Sequence, residues 1–200
     1  MSYGFEIRNE NDELVVDSEY PCLLINADVT LTGTVINTPF GERYSFPPQP
    51  NFLSFYVLEV GQYVIISVNG GIISNRQTLR IVGAEPANNI AETENYGISV
   101  FDDNGNNVFH GSNELLALNG GYVFTKYGNE FYETTANAIS MLGVPVDVIT
   151  IDGYIAYIIA VAIYRNPDGI GSMQQPVGTI LSGYDYVSDD EFLVGGATIV

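Results

Sequence analysis

The stretch YGISVFDDNGNNVFHG (residues 96–111) repeats, without a gap, the stretch YGFEIRNENDELVVDS (residues 3–18). Tyr3/Tyr96, Gly4/Gly97, Asn11/Asn104 and Val15/Val108 are identical, and Phe5/Ile98, Ile7/Val100, Asn9/Asp102 and Val16/Phe109 are conservative pairs. In the first copy Tyr3, Phe5 and Ile7 alternate with Gly4, Glu6 and Arg8, which puts one apolar face on a strand. An Asn- and Asp-rich turn follows, then a second apolar run. In the second copy Asn104-Gly105 sits at the turn. These residues tolerate left-handed backbone and bond their own main chain. Each copy therefore predicts a β-hairpin, and the pair predicts duplication of a hairpin-led module. The copies diverge after residue 18, and two are too few for a solenoid.

Outward from the repeat, most of the chain reads as strand. DVTLTGTVI (28–36) places Val29, Leu31, Gly33 and Val35 on one side and threonines on the other. FLSFYVLEV and QYVIISV, divided by Gly61, predict a hairpin. Asn69–Gly71 and Asn119–Gly121 each carry an NGG that predicts a tight hairpin turn. QTLRIV, GGYVFTKY, VPVDVITID, VGTILSGY and GGATIV add short strands. Only ETTANAISML (133–142) carries a helical pattern. FPPQPNF (46–52) reads as a rigid loop. GAEPANNIAETEN (83–95) has linker composition. The expectation is all-β: two small antiparallel, sandwich-like modules, 1–84 and 96–200, each opening with a hairpin and joined by a linker at 85–95.

Composition narrows function. Of 200 residues 46% are hydrophobic and 15% charged, so a core can form. The net charge of −18 opposes nucleic acid, whose binding needs Lys and Arg to replace counterions, and opposes anionic lipid. Cys22 is the single cysteine, so no internal disulfide or zinc pattern exists. The apolar run YIAYIIAVAIY (154–164) is about half the ~20 residues of a spanning helix and predicts a buried strand rather than membrane insertion. No basic-then-apolar leader is seen at the start, which predicts folding in the cytoplasm.

No catalytic constellation is found, and the chain is expected to be no enzyme. His110, the single histidine, reads as a half-exposed strand residue rather than a triad member with Cys22 or a serine. Lys126, the single lysine in the sequence, reads as an edge residue. The glycines form no phosphate loop. Asp102, Asn104 and Asn106 begin like a calcium loop. Asn107 stands where that loop needs Gly and Asn113 where it needs Glu, so a plain turn is expected and no metal or cofactor. The crowded acids of YDYVSDDE (184–191) read as a solvated loop. Tyr-rich EYP, YDY and KYGNEFY leave sugar binding as a minority reading.

The opening MSYGFEIRNENDELVVDSEY resembles a family of small bacteriophage virion proteins. Their start is Met, one or two residues, Tyr-Gly, a short alternating strand, Asn-x-x-Gly, a second strand and Asp-Ser. Tyr3, Gly4, Asn9, Asp17 and Ser18 match. Asp12 stands in place of the usual Gly. The second copy restores it at Gly105 but carries His110-Gly111 in place of Asp-Ser. The match covers residues 1–20 alone. The resemblance implies a tail-associated structural protein of a virion assembled in host bacterial cytoplasm, in contact with other virion proteins and with copies of itself as a homo-oligomer. The alternatives are a receptor- or glycan-binding fibre or spike module and a capsid decoration or collar protein.

Overall fold

The computed structural model describes residues 6–8, 14–17, 22–38, 40–47, 53–66, 71–90, 98–111, 114, 116–125, 128–142, 146–151, 155–181 and 191–199. In the first half the described strands are β1 (Glu6–Arg8), β2 (Leu14–Asp17), β3 (Leu23–Thr32), β4 (Thr34–Thr38), β5 (Gly41–Phe46), β6 (Leu53–Val57), β7 (Tyr63–Ile66), β8 (Ile72–Ser74) and β9 (Thr78–Pro86). One 3-10 turn, Ala87–Asn89, follows. The second half supplies β10 (Ser99–Phe101), β11 (Asn107–His110), β12 (Leu116–Thr125), β13 (Phe131–Glu133), β14 (Ala138–Leu142), β15 (Val146–Ile151), β16 (Ile155–Asn166), β17 (Gly169–Leu181) and β18 (Glu191–Ile199). The chain is all-β, with antiparallel ladders throughout the described strands and a hairpin opening each half.

The two hairpins are copies in register as well as sequence. In the first, Glu6 faces Asp17 and Ile7 faces Val16, then the register slips so that Arg8 faces Leu14. A shift of 93 positions gives the second: Ser99 faces His110, Val100 faces Phe109, and the slip puts Phe101 opposite Asn107. The equivalence does not end at residue 18. β3 pairs with β9 through a bulge between Ile25 and Ala27, and β12 pairs with β18 through a bulge between Leu118 and Gly120. The bulged residues, Asn26 and Asn119, are again 93 apart and both asparagine. The expected hairpin turn at Asn119–Gly121 is therefore a bulge inside a long strand. Of the other NGG, residues 69 and 70 lie outside the described residues, as do residues 48–52 of the proline-rich stretch.

The duplication extends through both large sheets. One has the order β12-β18-β14-β6-β9-β3, the other β13-β17-β16-β7-β8-β5-β4, with β15 also on β16. Exchanging the halves maps β3 onto β12, β9 onto β18 and β6 onto β14, and likewise β7 onto β16, β8 onto β17 and β5 onto β13. A pseudo-twofold axis thus passes between β6 and β14 in one sheet and between β7 and β16 in the other. Ser74 opposite Val64 and Ser172 opposite Ile163 are matched buried serines, and Val64 faces Ile163 at the centre. The boundary expected at 85–95 marks no break. Strands of both halves pair in both sheets. The start of the expected linker, Gly83 to Pro86, belongs to β9, with Ala84 buried. Its Pro86 ends β9, and Asn88 and Asn89 belong to the 3-10 turn that follows.

The sheets pack face to face over one core: Phe46, Val64, Ile72, Val161, Ile163 and Ile170 from one, Tyr56, Leu79, Ile81, Phe124, Ile139, Met141 and Val194 from the other. Each sheet then curls away from its partner. In the six-stranded sheet every strand contributes to a second cluster on the far face: Ile25, Phe55, Val82, Ala84, Leu116, Ala138 and Ala197. Its two edges meet where Ile25 N–H donates to the Glu114 carbonyl at 2.8 Å. In the other sheet an Arg43 Nη2 to Gln175 Oε1 contact of 3.4 Å joins β5 to β17. Three strands separate these two, which in a flat sheet places them roughly 19 Å apart. This curl encloses Tyr63, Ile65, Ala160 and Ala162. Alanines on the inner faces give the short radius that larger side chains would prevent.

Three further expectations change for stated reasons. β6 and β7 are not a hairpin. They lie in different sheets and are joined by an arch in which Leu58 and Gln62 are buried. Gln62 satisfies itself there: Nε2 donates to Ser74 Oγ and the Thr78 carbonyl, and Oε1 accepts from Glu59 N–H. The run 28–36 is two strands, because the chain changes sheet at Gly33. A Cβ on Gly33 would lie 2.8 Å from both the Phe46 ring and Tyr44 Cβ. Gly33→Val is expected to cost about 1–3 kcal/mol by overpacking, read as a lower denaturation midpoint with unchanged m-value. The pattern at 133–142 is not helical. β14 runs between β18 and β6, with Ile139 and Met141 on the central core and Ala138 on the second cluster. Two neighbouring strands override a weak helix propensity.

Candidate interaction site

Asp102 organises the second hairpin's turn. Its Oδ1 accepts the backbone N–H groups of Asn104 and Asn106 at 2.8 Å each, and its Oδ2 accepts the Asn106 side-chain amide at 2.7 Å. Gly105, at φ +82°, donates to the Asp102 carbonyl and closes the turn. The hydrogen bond from the Asn106 side chain, then those from backbone, hold the Asp102 carboxyl below its ordinary range. Both carboxylate oxygens thus serve the turn, as sequence alone suggested.

Glu130 fastens the two sheets together. Its carboxylate accepts from the Thr125 and Ser172 hydroxyls and from Thr125 N–H. Ser172 Oγ in turn accepts from the N–H groups of Asn129, at φ +139°, and Glu130. Thr125 ends β12 in one sheet and Ser172 lies on β17 in the other. Burial pushes the Glu130 carboxyl up, but the Ser172 and Thr125 hydroxyls outweigh it and the group sits below its usual range. Ser172→Ala is expected to cost about 1–3 kcal/mol at neutral pH, since it strips partners from a part-buried network. A lowered folded pKa means that stabilisation is complete above the unfolded value near 4.3 and fades as pH falls through the folded one. Melting curves should therefore show the gap between variant and parent narrowing below about pH 4.

Beside this fastening lies an open cleft of about 610 Å³ lined by Glu133, Thr134, Thr135, Arg165, Pro167 and Asp168. Arg165 is held from several sides. Its Nη1 donates to the Ala136 carbonyl, its backbone N–H to Gln62 and its carbonyl accepts from Gly61 N–H. Elsewhere Asp28 forms a two-pronged pair with Arg80, at 2.9 and 2.6 Å, on the surface. Arg43 lies 5.7 Å from the centre of the Tyr63 ring.

Of the residues singled out by sequence, Cys22 is half-buried and its N–H bonds the Val108 carbonyl of the second hairpin. His110 ends β11 opposite Ser99. Lys126 and residues 184–190 lie outside the described residues. Among the described residues no cluster of three or more His, Cys, Asp and Glu is arranged to hold a metal.

The strongest departure from symmetry is an arm. β7 and β8 have 4 and 3 residues, whereas their counterparts β16 and β17 have 12 and 13. The arch from β6 to β7 spans residues 58–62. The equivalent passage in the second half carries the extra strand β15, which pairs Val146 with Ala160 through to Ile151 with Ile155. The other edge of β16 pairs with β17 along the same length. This three-stranded ladder joins VDVITI, IAYIIA and QPVGTIL, in which Asp147 is the single charged residue. Among the described residues β15 pairs with β16 alone. IAYIIAVAIY (155–164) thus lies in a strand, as expected, with Ala160 to Ile163 buried in the body, and Tyr154 lies outside the described residues. No described helix is long and apolar enough to cross a membrane. Exposed apolar residues also line the body: Ile98, Leu118 and Phe101 are 71%, 62% and 56% exposed.

No protein-family model, curated protein or solved structure matches the chain.

Proposed function

We propose that this chain is a non-enzymatic structural protein of a bacteriophage particle, a tail or tail-tip component that assembles through protein–protein contacts. The observation carrying this reading is the arm, a nearly uncharged strand ladder on one half of a pseudo-twofold body in a strongly acidic chain. Interface cores are depleted of charged residues, as the sequence of this ladder is. The N-terminal resemblance supplies the particle. The polar clusters support the absence of catalysis in one respect: Asp102 and Glu130 are spent on holding turns and sheets. Immunogold labelling of purified particles tests the proposal. Gold at the tail or its tip is expected. Gold over the head would move the protein to a decoration or collar role, and its absence from particles by mass spectrometry would end the virion reading.

The cleft favours a second reading, a glycan-binding module of a fibre or spike, because carboxylates and hydroxyls around Arg165 suit a polar ligand. Binding to a host-surface glycan that disappears in a Glu133→Gln/Asp168→Asn double variant would support it.

A further inference from the structure

We infer that the arm is a self-association surface and that its partner is the β15 strand of a second copy of this chain, paired edge to edge about a twofold axis. The inference rests on the assembly reading above and names the partner.

Three observations lead to it. First, the chain already associates this way with itself. Its halves join through two central antiparallel pairs, β6–β14 and β7–β16, each lying on a pseudo-twofold axis. Edge pairing about a twofold is thus the mode in which this sequence builds larger sheets. Second, β15 is a six-residue strand that pairs, among the described residues, along one edge alone, and a strand edge of that kind templates a neighbour. Third, charge selects the occupant's approach. Two chains of −18 repel wherever acids face each other, and the arm's three strand segments hold one acid between them. A twofold perpendicular to the sheet sets residues of equal parity opposite each other. Centred on Val148 it places Asp147 against Ile149 of the other copy, and centred on Ile149 against Ile151. Both registers keep the two Asp147 carboxylates from direct opposition, which would destabilise the pair. The result is a continuous six-stranded sheet running from one molecule into the next.

The test is sedimentation equilibrium of the full chain at rising concentration and at two salt levels. A dimer is expected, tighter at 0.15 M salt than at 0.01 M, because the screening length falls from about 30 to about 8 Å. Ile149→Glu should weaken it at least tenfold. Val60→Glu should leave it unchanged. Val60 is 51% exposed on the first-half arch, the counterpart of the arm, and the substitution adds the same charge. A monomer under all conditions, or a dimer that Ile149→Glu leaves intact, overturns the inference. Should Ile149→Glu fail to fold, amide exchange of the parent protein decides. Val146–Ile151 amides must gain protection as concentration rises, and equal exchange at all concentrations overturns it. Failure of the virion reading would show in particle labelling and would leave these solution results standing.

Discussion

Phe124→Ala is expected to remove about 3–5 kcal/mol of folding stability, the range for emptying a large aromatic site in a packed core. Phe124 is fully buried, meets Tyr132 edge-on with ring centres 5.1 Å apart, and lies in the core that joins the two sheets. Its counterpart under the pseudo-twofold, Leu31, is only partly buried against the same core, so Leu31→Ala should cost distinctly less. Domain stabilities run to about 5–15 kcal/mol in all, so the Phe124 variant should unfold at a much lower denaturant concentration than its parent. A loss under about 1 kcal/mol would mean that the inter-sheet core at this edge is not close-packed.

Severing the chain at an engineered protease site within residues 91–95 is expected to leave two fragments that remain bound and melt in one transition. Seven of the core residues, Phe46, Tyr56, Leu58, Val64, Ile72, Leu79 and Ile81, come from the first half. Phe124, Ile139, Met141, Val161, Ile163, Ile170 and Val194 come from the second. Neither half keeps a closed core without the other, and two of the ladders that hold them together cross the cut. Calorimetry on the intact chain should accordingly give equal calorimetric and van't Hoff enthalpies, the mark of a single cooperative unit. Fragments that separate on a sizing column in native buffer, or two resolved transitions, would restore the picture of two modules.

Strand periodicity carried the fold class, because alternation at Tyr3, Phe5 and Ile7 or β-branched density in Ile155–Asn166 is a local property. What was not legible is pairing. FLSFYVLEV and QYVIISV look like a hairpin from residue types alone, and only the burial of Leu58 and Gln62 in an arch between sheets separates them. ETTANAISML reads as a helix until β18 and β6 are placed on either side of it. The repeat is legible only over its first sixteen residues, since beyond them the halves share backbone geometry more than side chains. Asn26 and Asn119 carried a trace of it, but an isolated asparagine identity has no weight until both prove to be bulges. The turn role of Asp102 was legible, because an Asx turn is built within a few residues. The Glu130 fastening was not, because Ser172 comes from 42 positions away.

The pseudo-twofold body carries a consequence for polarity. Two separate copies of one half, bound about a true twofold, would have to grow the same projection on both sides, and every contact they made would come in pairs. Fusing the halves into one chain holds them at an effective concentration that dilution cannot change, and it frees each half to vary alone. One half has kept short turns where the other has extended β15, β16 and β17. The product is a symmetric foundation with a single handle, so a molecule built on a twofold plan has a front and a back.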